Sequence, residues 1–147
     1  MDAGRQPAPA DEGDLAEEPS GGRGWTVFRP GGRILTTSGG AAENALARAG
    51  YYPDDRSEDK GAEFEGAEVG RFAGTDHAFI GSERGNAVLA YRFGDEGRPR
   101  LVQVLPTGSE PEGLLAIERR GLFLTSNEAD GTLSIFALDT RSGGYHR

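Results

Sequence analysis

Apolar positions in this chain come in short, β-rich runs broken by turn residues. Trp25-Thr-Val-Phe28 and Arg33-Ile-Leu-Thr-Thr37 flank Pro30-Gly31-Gly32, which predicts a hairpin. Ala41–Ala49 (AAENALARA) is the only good run of helix formers, and Gly50 stops it. Tyr51 to Glu63 is polar and acidic and reads as a long surface loop. Beyond it the pattern predicts strands at Ala67–Gly70, His77–Ser82, Ala87–Phe93, Arg100–Leu105, Leu114–Ile117, Leu122–Ser126 and Thr132–Leu138.

These strands repeat. Glu65-Gly66 leads through His77-Ala-Phe-Ile-Gly-Ser-Glu83 to Ala87-Val-Leu-Ala-Tyr91. Glu112-Gly113 leads through Leu122-Phe-Leu-Thr-Ser-Asn-Glu128 to Leu133-Ser-Ile-Phe136. The offset is 47 residues at the Glu-Gly pairs and 45 from Glu83/Glu128 to Tyr91/Phe136. Periods of about 40–50 residues made of short strands mark β-propeller blades. The alternative is a chance likeness between two hairpins of a small sandwich. The fold class expected is all-β: a β-propeller fragment of about two and a quarter four-stranded blades. One short helix and a disordered N-terminal tail accompany it. The expected divisions are 1–22 (disordered acidic tail), 23–141 (partial propeller) and 142–147 (a frayed C-terminus, with no outer fourth strand after Leu138). A blade relies on its neighbours to cover its faces, so the rest of a parent propeller is the first expected partner. On this reading the segment is not stable alone.

Composition narrows the partners. Sixteen basic and 24 acidic residues give a net charge of −8, which disfavours nucleic acid and anionic membrane surfaces. Fifteen of the basic residues are Arg, a sign of a GC-rich genome. Cysteine is absent, so disulfides and thiolate metal sites are excluded. No apolar run has the length of a membrane span, and the N-terminus lacks the pattern of a signal peptide. Export would therefore need a signal upstream of this segment.

Blade geometry then places the carboxylates. The innermost strand starts at the end of the sheet where the loop between second and third strands also emerges. Glu65 and Glu112 begin innermost strands, while Glu83, Glu128, Asn127 and Asp130 sit at second-to-third turns. The loop holding Asp54, Asp55, Glu58 and Asp59 hands over at the same end. Crowded carboxylates are relieved by protonation, by pairing with Arg56 or Arg84, or by a hard cation such as Ca²⁺. The candidate metal ligands are Glu65, Glu83, Glu112 and Glu128, with Asp59, Arg84, Asn127 and Asp130 as further binding residues. A structural reading stands beside this one: Asp130-Gly131 is a preferred hairpin turn, and the Glu-Gly pairs are strand starters. Other chemistry is thin. His77 and His146 form no zinc set, Ser82 has no GxSxG context, and no Gly-rich stretch follows a phosphate-loop pattern.

The order Gly24-Trp-Thr-Val-Phe28, Gly32-Arg-Ile-Leu35, Ser38-Gly39 and Arg56-Ser-Glu-Asp-Lys-Gly61 resembles the choice-of-anchor I family of secreted bacterial propeller proteins. The likeness continues through Glu63-Phe-Glu-Gly66, Ala78-Phe-Ile-Gly-Ser-Glu-Arg-Gly85, Pro111-Glu-Gly-Leu114 and Ser126-Asn-Glu-Ala-Asp-Gly-Thr132. Such families usually carry Glu-Pro-Glu-Gly where this chain has Phe64; the second copy keeps Pro111. The resemblance implies an extracellular, periplasmic or cell-surface binding or scaffold module. Its partner would be a surface polymer or a phosphoester ligand. Related proteins labelled alkaline-phosphatase-like or esterase-like-of-phytase make a metal-dependent phosphoric monoester hydrolase the rival reading. A lactonase-like propeller enzyme is the third.

Overall fold

The computed structural model describes residues 8–11, 22–139 and 141–147. They form antiparallel sheets whose strands follow chain order. The first has three strands, β1 (Ala10–Asp11), β2 (Gly24–Phe28) and β3 (Ile34–Thr37). Helix α1 (Ala41–Ala49) follows and ends at Gly50, whose φ of 79° is the left-handed cap that glycine adopts at least cost. Its Ala42 and Leu46 are fully buried against the first core.

Two four-stranded meanders follow. The first blade is β4 (Phe64–Phe72), β5 (Thr75–Ser82), β6 (Ala87–Phe93) and β7 (Pro99–Pro106). The second is β8 (Pro111–Ile117), β9 (Leu122–Asn127), β10 (Thr132–Leu138) and β11 (Tyr145–His146). The propeller-type reading of the repeat holds, and Ala87–Phe93, Thr132–Leu138 and Ala41–Ala49 have the bounds read from sequence.

Two expectations are corrected. β11 pairs with β10, Tyr145 opposite Leu138, where a frayed end without an outer strand was expected. Tyr145 is drawn in because its ring packs edge-on against Phe72, Phe79 and His77. Nothing in a Ser-Gly-Gly-Tyr stretch announces that contact. At the other end Ala10 pairs with Trp25 and Ala8 is buried, so this part of the acidic tail is ordered. The rest of the expected tail, 1–7 and 12–21, lies outside the described residues.

Alternation sorts each blade into two faces. Ala78, Ile80, Leu89 and Tyr91 point to the first sheet and α1, where Trp25 meets Tyr91 at 4.5 Å between ring centroids. Phe79, Val88 and Ala90 point to the second blade, where Phe79 stacks on Phe123 at 3.9 Å. Ile80, Phe79, Leu89 and Val88, fully buried, each contribute on the order of 2 kcal/mol. The first strands of the two blades approach closely because β4 carries glycine. A Cβ on Gly70 would stand 2.7 Å from Ala116 Cβ, which no side chain could tolerate without movement.

Candidate functional site

Both Glu-Gly pairs prove to be β-bulges. Phe64 pairs with Ser82 and Gly66 with Gly81, leaving Glu65 as the extra residue. Pro111 pairs with Asn127 and Gly113 with Ser126, leaving Glu112 in the same position. A bulge kinks the strand and re-aims the side chain of its extra residue. Just before each bulge stands a glutamate in left-handed backbone, Glu63 at φ 51° and Glu110 at φ 58°. That conformation costs a non-glycine residue about 1–2 kcal/mol and persists where surrounding bonds over-determine it. Here the bonds are evident. Glu83 N–H donates to the Glu63 carbonyl at 3.0 Å, and Glu128 N–H to the Glu110 carbonyl at 2.8 Å.

At the first of these positions charge converges. One carboxylate oxygen from each of Glu63, Glu65 and Glu83 lies within 4.8 Å of the others. Glu63 and Glu83 are buried and Glu65 is exposed, so the group opens to solvent on one side. Glu63 accepts from Arg56 Nη2 and from Arg84 Nε, both at 3.0 Å, and Lys60 Nζ lies 3.2 Å away. Arg84 also reaches Glu83 Oε1 at 2.9 Å and bonds Glu110 Oε1, clamping together the left-handed glutamates of both blades.

The protonation states follow from these contacts. Burial pushes the Glu63 carboxyl up, but hydrogen bonds from Arg84 and Lys60 outweigh it and hold it below its ordinary value. Burial and a hydrogen bond shared with Glu65 push Glu83 up to about 7, against the pull of Arg84. A proton on Glu83 thus relieves its repulsion with Glu65, and a cation between them could do the same. Oxygen-only donors suit a hard divalent ion, so this cluster of three acidic residues could hold a metal.

The other sequence candidates are placed as follows. Arg84 lies at the centre of the cluster. Glu112 and Glu128 occupy the same end of the blades but are exposed and stand outside the three-carboxylate group. Asn127 is buried, accepting from Thr125 Oγ1 and donating to Thr132 and Ser134 hydroxyls. Asp130 accepts from the backbone of Ser109 and Thr132 and from the Thr132 hydroxyl. The Asp59 side chain is exposed, while its carbonyl accepts from Arg23. Sequence reasoning missed Glu63, Lys60 and Glu110 as site residues. The signal was present: Glu63-Phe-Glu-Gly66 and Glu110-Pro-Glu-Gly113 are the same motif 47 residues apart.

Elsewhere, His77 is buried with Nδ1 at 3.0 Å from the Thr75 carbonyl, and burial lowers its pKa. A cleft of about 480 Å³ opens at the opposite end of the first blade, beside Arg29, Arg71, Asp76 and residues 94–97. It receives none of the clustered carboxylates.

Successive meander sheets packed face to face, with bulged glutamates at one end, define a propeller-type module. A model of the choice-of-anchor I domain matches residues 18–96, more than half of the chain, and the protein belongs to that family. The match takes in β2, β3, α1 and the acidic cluster of Glu63, Glu65 and Glu83. Family membership points to an extracytoplasmic, cell-surface or extracellular module. No helix among the described residues is long and apolar enough to cross a membrane. No curated protein matches the chain, and no solved structure does.

Proposed function

We propose that this protein is a binding or scaffold module of the cell surface that holds a divalent cation, Ca²⁺, beside Glu65 and Glu83, with Glu63 as the third carboxylate. The observation that carries the reading is the convergence of those three oxygens within 4.8 Å. Two full negative charges at about 5 Å repel by about 3 kcal/mol at an effective dielectric near 20. Without a metal, protonation of Glu83 relieves that repulsion. Ca²⁺ replaces the proton and takes its remaining oxygens from water and from the surface ligand. Glu63, already met by Arg56, Lys60 and Arg84, is the carboxylate least free to turn toward the ion. A surface polymer rich in oxygen donors, or a phosphoester, is the ligand class such a site would present to.

Titration calorimetry of the chain with Ca²⁺ tests this. Uptake is expected in the parent and in Glu112→Gln/Glu128→Gln, and its loss in Glu65→Gln/Glu83→Gln. Absence of uptake by the folded parent would remove the cation site. Ca²⁺-dependent hydrolysis of a phosphomonoester that vanishes in Glu65→Gln/Glu83→Gln would instead establish the metal-dependent phosphoesterase.

A further inference from the structure

The cleft of about 480 Å³ lies at the end of the first blade that the clustered glutamates do not occupy. Three connections build it. Arg29 comes from between β2 and β3, Gly74 and Asp76 from around the β4–β5 turn, and residues 94–97 from between β6 and β7. Its size is that of small-molecule pockets, about 300–1,000 Å³. Blade geometry alone does not produce it: at the 47-residue offset Arg71 becomes Glu118, so the second blade lacks that guanidinium.

The lining combines both charges with an apolar part. The Gly74 carbonyl at 3.0 Å and Asp76 Oδ1 at 3.5 Å orient the Arg71 guanidinium. Arg29 and Asp95 line the same cleft, yet among the described residues neither has an ion-pair partner. A guanidinium and a carboxylate that share a cleft without meeting leave room for a group that both donates and accepts. Hydroxyls do both. Phe93 and Val69, half-buried, add an apolar surface beside them. Two arginines stand against Asp76, Asp95 and Glu96, so the lining has no excess of positive charge with which to hold an anion. The net charge of −8 also repels acidic ligands at long range. A neutral ring with hydroxyls on its edge and C–H groups on its faces matches this lining. We infer that the cleft binds a neutral hexopyranose, its hydroxyls on Arg29, Arg71 and Asp95 and a C–H face on Phe93. This site is separate from the carboxylate cluster and needs no metal.

Saturation-transfer NMR of the chain tests this with the methyl glycosides of glucose, galactose, mannose and N-acetylglucosamine. At least one is expected to bind in the millimolar range. Arg29→Ala/Asp95→Ala should weaken that binding at least about tenfold, because each substitution removes a charged hydrogen-bond partner. Both residues are exposed, and circular dichroism checks that the fold is kept. If it is not, Arg29→Ala alone carries the same expectation. EDTA and Glu65→Gln/Glu83→Gln should leave binding unchanged, so failure of the cation site does not touch this one. Binding of none of the glycosides overturns the inference, as does binding that survives Arg29→Ala/Asp95→Ala. Binding abolished by EDTA places the sugar at the carboxylate cluster and overturns it too. Methyl glucuronide probes neutrality: tighter binding than that of the glucoside would make the ligand an acid and overturn the neutral assignment.

Discussion

Residues 82–86 and 127–131 are the same turn in successive blades, yet they have different chemistry. The first holds Glu83, buried beside Glu63 and Glu65, and Arg84, which ties Glu63 to Glu110. The second holds Glu128, exposed, and Ala129, with Asn127 and Asp130 bonded to neighbouring hydroxyl and backbone groups. The backbone is conserved between them down to the bond that residue 83 or 128 donates to the preceding glutamate carbonyl. What differs is what lies against the turn. Segment 56–63 brings Arg56, Lys60 and Glu63 to the first, whereas the second meets residues 107–110, which give it the Ser109 amide and the Glu110 carbonyl while the Glu110 carboxylate turns to Arg84. A repeat thus preserves geometry, while neighbouring segments decide whether a given carboxylate becomes part of a site.

Substitutions that sharpen this contrast differ in size. Arg84→Ala removes the clamp and leaves buried Glu63 with two of its three cations. Breaking a buried pair costs 3–5 kcal/mol, and Arg84 is 32% exposed, so about 2–3 kcal/mol is expected in urea denaturation. In the second turn the largest effect falls on Asn127, which is 2% exposed. Asn127→Ala strands the buried Thr125 hydroxyl and should cost about 2 kcal/mol by the same measurement. If Arg84→Ala proved the milder of the two, the charged cluster would not be what fixes the first turn.

Glu83 supplies a pH test. Its folded pKa of about 7 lies above the ordinary 4.5, so between these values the folded chain keeps a proton that the unfolded chain has released. The contribution is complete below pH 4.5 and is lost as pH rises from there through about 7. Glu83→Gln should flatten that part of the stability profile and leave the parent the less stable of the two at pH 7.5. Added Ca²⁺ should raise the parent's melting temperature there and leave Glu65→Gln/Glu83→Gln unmoved. The smallest effect belongs to the repeat-equivalent carboxylate. Glu128→Ala should stay within about 0.5 kcal/mol at any pH, as exposed substitutions do.

Much of the fold was legible because its signals are local. Strand alternation, the Pro30-Gly31-Gly32 turn, the AAENALARA helix and the offset between repeats all follow from residues within a few positions of one another. The gathering of carboxylates at one end of the blades follows as well, since a meander returns alternate loops to the same end. The membership of the cluster was less legible. Glu65 and Glu83 were candidates, but Glu63 enters only because its backbone turns left-handed and its neighbour bulges.

By itself, then, the sequence determined the strands, the helix, the repeat and the end of the sheets to which its glutamates go. Each depends on side-chain period and turn chemistry, which act over short range. Tertiary structure alone decided which glutamates meet, that Arg84 spans two blades, that Tyr145 is pulled into the aromatic core, and that a cleft opens beside Arg29 and Arg71. Those outcomes depend on sheets packing at the distance set by Gly70 and Ala116, and on charges more than twenty residues apart sharing one partly buried site.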